Sequence, residues 1–197
     1  ILSKAHASYP LCLLVQEKGF SPSMCTHLEI DPKNGIYCTT GSLGHGLPIA
    51  MGMALARFIQ NKRGNIYVLM SDGECQEGTT WESLLIGAKH NLNNINVLVD
   101  YNKIQALTTL NDGLPLDDLA LKFKAFNWDC DVVKDGHSFD EIIDVFKGGK
   151  RGRKPRSIIF HTTKGKGIEA FENDPRWHAR KIKGEELEIG KKALGIL

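Results

Sequence analysis

The chain has 197 residues, 42% of them hydrophobic, which fits one domain over residues 1–197 with a sizeable core and excludes a disordered chain. Its 25 basic and 23 acidic side chains give a net charge of +2, so no global field recruits nucleic acid or a membrane surface. Five cysteines (Cys12, Cys25, Cys38, Cys75, Cys130) without a Cys-x-x-Cys pair favour reduced thiols in a cytoplasmic protein over a disulfide frame, and no stretch reads as a membrane span or signal peptide.

The segment ILSKAHAS (1–8) leads into a mainly apolar helix stopped by Gly19. His6 lies just ahead of that helix, as either a surface or capping residue or part of a site. Between Phe20 and Thr40 the periodicity disappears, and Pro22, Pro32 and Asn34-Gly35 mark turns. Loops carry function more often than core elements do, which singles out His27. The stretch Gly41-Ser42-Leu43-Gly44-His45-Gly46 then opens a helix reaching to about Asn61, rich in small residues. Its glycines either leave backbone open to a flat ligand or build a structural loop; they precede the first clear strand, so they are not a dinucleotide-binding fingerprint.

Residues 65–71 form a near-continuous apolar run, as expected of a parallel strand covered on both faces. The following helix carries a capping-box pattern, Thr79-x-x-Glu82, and Trp81, Leu84, Leu85 and Ala88 recur at the spacing of a core stripe. A strand over 95–102, a loop over 103–113, a helix over 116–126, a strand over 128–135, a helix over 138–146 and a strand over 157–163 complete the pattern, with a helical tail from Gly184. This alternation predicts an α/β fold: a doubly wound, mainly parallel sheet with helices on both faces. The six basic residues in 147–156 lack interleaved aromatics and read as a solvated connecting loop.

Within this pattern the β-α-β unit ending at Asn102 stands apart. A right-handed crossover brings the carboxyl ends of neighbouring parallel strands to one edge, so Asp72 and Asn102, thirty residues apart, are expected to meet. Both offer hard oxygens suited to Mg²⁺ or Ca²⁺, and Mg²⁺ characteristically completes its shell with water and phosphate oxygens. Gly73 permits close backbone approach, and the amides behind it suit an anion. Taken alone, an Asp-Gly after a strand is equally a turn. The last strand delivers Thr162-Thr163-Lys164 to the same edge, and fourteen residues after Lys164 comes His178; a Lys and a His there suit a phosphate.

The Asp72/Asn102 spacing resembles the thiamine diphosphate signature, with Ser71 where a glycine is usual. More widely, ILSKAHAS (1–8), TTGSLGHGLPIAMGMALA (39–56), SDGECQEG (71–78), DYNKIQ (100–105), HTTKGKG (161–167) and DPRWH (174–178) stand in the order found in transketolases. The chain closely resembles the N-terminal, diphosphate-binding domain of that family, especially the separate N-terminal subunit of split transketolases.

The resemblance implies thiamine diphosphate with Mg²⁺, for which Ca²⁺ or Mn²⁺ substitute. Asp72 and Asn102 would ligate the ion through side chains and Ile104 through its carbonyl. Gly73, Lys164 and His178 would hold the diphosphate with His6 nearby, and Gly41, Ser42 and Leu43 would line the aminopyrimidine. His6, His27 and His178 would serve catalysis, facing the sugar hydroxyls, where an imidazole titrating near neutrality can exchange protons. Glu77 matches an acid linking two sites across a dimer. The implied activity is transfer of a two-carbon ketol unit between sugar phosphates. It requires a pyrimidine-binding, C-terminal partner subunit, with a homodimer of this chain inside a heterotetramer. The family's first helices are absent before Ile1, so the sequence is expected to lack N-terminal residues. Ala5, Leu28 and Ala179 depart from the family's usual Gly, Pro and Gly. The competing readings are the α subunit of a 2-oxoacid dehydrogenase or decarboxylase, which shares the Asp/Asn signature, and a non-catalytic α/β subunit binding another phosphate ligand.

Overall fold

The computed structural model describes residues 1–106, 108–148, 152–178 and 180–196. Four runs become strands, β1 (Ile66–Ser71), β2 (Ile95–Tyr101), β3 (Asp129–Val133) and β4 (Arg156–His161). Cover is fullest on β2 and β4, whereas the two-sided cover expected of residues 65–71 is not met, Tyr67 of β1 being 43% and Val132 of β3 46% exposed. All pair in parallel, in the order β1-β2-β4-β3. The helices are α1 (Ser8–Gln16), α2 (Gly46–Ile59), α3 (Gly78–Lys89), α4 (Leu119–Ala125), α5 (Phe139–Lys147) and α6 (Glu185–Ala193). This is the α/β parallel sheet anticipated from the alternation of elements, and none of the described helices is long and apolar enough to cross a membrane.

One face of the sheet presents Val68, Met70, Val97, Val99 and Ile159 to Leu47, Ala50, Met51 and Ala54 of α2, Leu84 of α3 and Phe123 of α4, all at most 3% exposed. Each such side chain contributes about 1.5–3 kcal/mol by leaving water. On the other face Val133, Ile158 and Phe160 pack with Ile142 and Val145 of α5. The chain runs from β1 to β2, passes over β4 to reach β3, and returns to β4 through α5 on the opposite face. The winding therefore reverses between β2 and β4, and the crevice at a reversal point, beyond the carboxyl ends of the strands, is where open α/β sheets take ligands.

The N-terminal residues reinforce this edge. Leu69 N–H donates to the Ile1 carbonyl at 2.9 Å and Ser3 N–H donates to the Leu69 carbonyl at 2.8 Å, so Ile1–Ser3 lies parallel along β1. Lys4 and His6 are thereby delivered to the carboxyl end of the sheet.

Three local expectations are corrected. The Thr79/Glu82 capping box does not form, because α3 begins two residues earlier with Glu77 at the cap position, and the Thr79 hydroxyl donates instead to the Gly44 carbonyl at 3.0 Å. Half of that pattern forms at α5, where the Glu141 N–H donates to Ser138 Oγ at 3.3 Å, while the Glu141 carboxylate accepts from the Lys134 and Asp135 amides rather than from the Ser138 N–H. Leu85 is 59% exposed: it lies one residue beyond the buried Leu84, on the outward side of α3. Within the basic run, residues 149–151 lie outside the described residues. Its last member, Arg156, is no loop residue but a buried part of β4, ion-paired with Asp131 at 2.7 Å and donating to the Val145 carbonyl.

Candidate active site

A cleft of about 970 Å³ opens at the carboxyl ends of β1, β2 and β4. Each strand brings one polar residue to it at or just past its last residue: Asp72 after β1, Asn102 after β2 and Thr162 after β4. The register explains the meeting, since Ser71 pairs with Asp100 and Tyr101 with His161. Of the residues singled out in the sequence, His6, His27, Gly41, Leu43, Asp72, Gly73, Glu77, Asn102, Ile104, Lys164 and His178 line this cleft. Ser42 does not; its hydroxyl lies 3.3 Å from Nδ1 of His45.

Asp72 is 2% exposed, and its carboxylate is held by main chain alone: the Gly73 N–H donates to Oδ1 at 2.8 Å and the Lys103 N–H to Oδ2 at 2.6 Å. Burial raises its pKa to about 6, Asp100 adding to the effect while these two amides and Lys4 oppose it. Asn102 turns Oδ1 toward the Ile104 N–H at 3.0 Å. Two oxygen donors thus converge, each with lone-pair capacity to spare, around a carboxylate short of compensating charge. Among the described residues no group of three or more His, Cys, Asp or Glu side chains could hold a metal. A cation at Asp72 and Asn102 would therefore complete its shell with carbonyl, water or ligand oxygens, which is how Mg²⁺ is commonly held.

Facing this pair is a basic wall. Lys164 Nζ lies 3.3 Å from His178 Nδ1, and the His6 and His178 rings are in contact, tilted at 39° with centroids 4.9 Å apart. Burial and the Lys4 charge push the Lys164 pKa down, and burial, Lys164 and Lys4 do the same to His178. For His6, burial comes first, then Lys4, His178 and Lys164, and together they overcome Asp100 to bring its pKa to about 4. These groups lose proton affinity first through burial and then because they crowd one another, Asp100 and Asp72 offsetting only part of the effect, and an anion in the cleft would relieve all of them.

His27 comes from the loop after α1, and Gly41 is what lets it close on the cleft. Gly41 has φ of +133°, and a Cβ there would lie 2.5 Å from His27 Cδ2, so any larger residue would strain the backbone and displace the imidazole.

Reading the sequence overlooked several contributors. Lys4 pairs with Asp100, whose other oxygen accepts from the Thr162 hydroxyl. Burial disfavours ionisation of Asp100, but Lys4, with the hydrogen bonds from Thr162 and Asn102, holds its pKa below the ordinary carboxylate value. The signal was present: Asp100 stands two residues before Asn102, and residues at that spacing share a face of a strand. His137 accepts from the Thr163 N–H at 2.7 Å and also lines the cleft, a role no local pattern announces.

A cofactor-free measurement tests the electrostatics. With a folded pKa below its unfolded value, His6 makes the unfolded chain the better proton acceptor between about pH 4 and 6.5. Its contribution to stability is then complete above pH 6.5 and lost as pH falls toward 4. After discounting for solvent screening this amounts to about 1–2 kcal/mol. NMR titration of the ring should show His6 neutral at pH 5.5, and His6→Gln should flatten the acid limb of the stability curve. A His6 midpoint near 6.5 would contradict this account.

Comparison with known proteins bears on the same residues. A family described as "Transketolase, thiamine diphosphate binding domain" matches residues 8–197. An apulose-4-phosphate transketolase subunit from Actinobacillus succinogenes is 34% identical over 206 residues, covering 98% of this chain and 74% of that protein. A 6-deoxy-6-sulfo-D-fructose transketolase subunit from a Clostridium species is 33% identical, covering 94% of this chain and 72% of that protein. Among solved structures, transketolase from Campylobacter jejuni superposes with a TM-score of 0.85 at 27% identity, covering 99% of this chain but only 34% of that one.

Proposed function

Because the chain belongs to the transketolase family of thiamine-diphosphate-binding domains, we propose that it is the diphosphate-binding subunit of a two-chain transketolase. With thiamine diphosphate and Mg²⁺ it moves a two-carbon ketol unit from a ketose phosphate to an aldose phosphate. The observation that carries this reading is the convergence of Asp72 and Asn102 opposite Lys164 and His178 at the point where the sheet reverses its winding. Hard oxygens on one side, and the Lys164 ammonium with the hydrogen-bonding nitrogens of His178 on the other, suit a divalent ion and a diphosphate.

In this reading Asp72, Asn102 and the Ile104 carbonyl hold the ion, for which Ca²⁺ or Mn²⁺ substitute. The buried Asp72 gains the compensating charge it otherwise lacks. Lys164 would neutralise, and His178 would hydrogen-bond, diphosphate oxygens beside Gly73. Gly41 and Leu43 form the shelf for the pyrimidine ring. Bound thiamine diphosphate supplies the carbanion-stabilising chemistry of C–C bond cleavage, while the protein supplies position and electrostatics. His27, His6 and His178 face the space left for the sugar, where a neutral imidazole can accept a hydroxyl proton and return it. The depressed affinities of His6 and His178 keep these rings neutral, and so able to accept, at physiological pH.

The two relatives named for apulose-4-phosphate and for a sulfonated fructose are subunits, which supports a partner chain here as well. The partner supplies the pyrimidine-binding half, and two copies of this chain complete a heterotetramer, with Glu77 at the cleft rim placed to communicate between sites. The sugar substrates are of the phosphorylated ketose and aldose class. The family match favours this reading over a 2-oxoacid dehydrogenase α subunit. Calorimetry with thiamine diphosphate, run with and without Mg²⁺ on the chain mixed with its partner, should give saturable uptake only when the metal is present. No uptake in the complete mixture would overturn the proposal.

A further inference from the structure

Glu74 is 0% exposed, yet among the described residues no cation pairs with it. Burying a carboxylate is costly unless hydrogen bonds replace its water, and here four donors do so. Oε1 accepts from the Ser3 hydroxyl and from the Gly44 N–H at 3.2 Å. Oε2 accepts from the Ser71 N–H at 2.9 Å and from the Ser71 hydroxyl at 3.4 Å. A carboxylate whose two oxygens accept from four donors is poorly replaced by an amide, which would turn an NH₂ group toward one of these pairs.

The donors come from three segments far apart in sequence, and each continues directly into the cleft. Ser3 precedes Lys4 and His6. Gly44 ends the Gly41–Leu43 shelf, and Ser71 precedes Asp72 and Gly73. The main chain of Glu74 adds a fourth tie, accepting from the Thr80 hydroxyl of α3 at 2.6 Å. Packing supports the same junction: a Cβ at Gly46 would overlap Ser3, so the N-terminal segment lies directly on the start of α2. Among the described residues no other side chain joins these three segments.

We infer that Glu74 is a positioning residue: its buried carboxylate sets the mutual placement of the N-terminal segment, the glycine shelf and the metal-binding turn, and so fixes the geometry in which the cleft meets its cofactor. The inference rests on the proposed function for its consequence in cofactor binding, but its structural core stands without any ligand.

The test therefore starts with the cofactor-free chain. In Glu74→Gln, amide exchange at Gly44 and Ser71 should rise by about ten- to a hundredfold, while amides in the middle of β2 and β4 keep their protection. The ring resonances of His6 and His27, which a uniform loss of stability would not move in the folded state, should shift. Ser3→Ala removes a single bond within this buried junction and should change the same residues in the same direction by less. Added to Glu74→Gln, it should contribute little more, because the two share one junction. Should Glu74→Gln fail to fold, Ser3→Ala alone carries the test. Exchange and ring shifts unchanged in Ser3→Ala, or exchange rising evenly across the sheet, would overturn the inference. With Mg²⁺ and the partner present, thiamine diphosphate should bind Glu74→Gln about tenfold more weakly than wild type. If wild type itself takes up none, the proposed function fails while the exchange result still decides the role of Glu74.

Discussion

Replacing Asp72 with alanine is expected to abolish metal-dependent uptake of thiamine diphosphate, weakening it by on the order of a hundredfold or more, as loss of the one charged ligand of a hard divalent ion does. Asn102 and the Ile104 carbonyl would remain, but both are neutral, and two neutral oxygens hold Mg²⁺ poorly against water. The alanine variant also orphans the Gly73 and Lys103 amides that now donate to the carboxylate, so some loss of local order accompanies it. Asp72→Asn separates the two effects. It keeps an acceptor and nearly the same volume while removing the charge, so it should lose metal-dependent uptake as fully as alanine does. Without metal its melting temperature should fall less than that of alanine: the uncompensated carboxylate that burial disfavours is gone, but the amide NH₂ now meets either the Gly73 or the Lys103 N–H where an acceptor stood. Calorimetry with and without Mg²⁺, paired with thermal melts, reads both quantities. Metal-dependent uptake undiminished in Asp72→Asn would remove Asp72 from the metal site.

That Asp72 and Asn102 could be paired from sequence follows from how little geometry the inference needs. Parallel strands joined by one right-handed crossover place their carboxyl ends together whatever their side chains do. The same holds for Thr162 to Lys164 once the last strand is recognised. Contacts made by chain segments with no periodicity were not legible. The Lys4–Asp100 pair depends on Ile1–Ser3 lying along β1, a pairing of only a few residues. Glu74 was invisible for another reason: an acid in a turn after a strand normally faces solvent, and only the approach of three separate loops makes it a buried junction. The misplaced capping box at Thr79 shows the limit of local patterns, since the hydroxyl had a better tertiary partner in the Gly44 carbonyl. Leu85 failed similarly, because a stripe of four apolar residues on a helix is wider than the face that α2 and the sheet can cover.

The chain alone, supplied with thiamine diphosphate and Mg²⁺, is expected to show no ketol transfer above background, and addition of its partner should raise the rate at least about a thousandfold, as completing and drying an active site can. The cleft is open where the proposed pyrimidine shelf lies: Leu43 stands 45% exposed at its rim beside Gly41. An exposed apolar side chain at the edge of the cleft is poorly placed for an active site closed by one chain, and well placed for one closed by a second. The chain spans about a third of the length of the Campylobacter jejuni transketolase it matches. Water entering through the open side would compete for the reactive carbon and weaken every charge interaction on which His6, Lys164 and His178 depend. Titrating the partner against a fixed amount of chain should give activity that saturates at one partner per chain, with Leu43→Asp shifting the saturation to higher concentration. Full turnover by the purified chain without any partner would show that the cleft is complete as it stands.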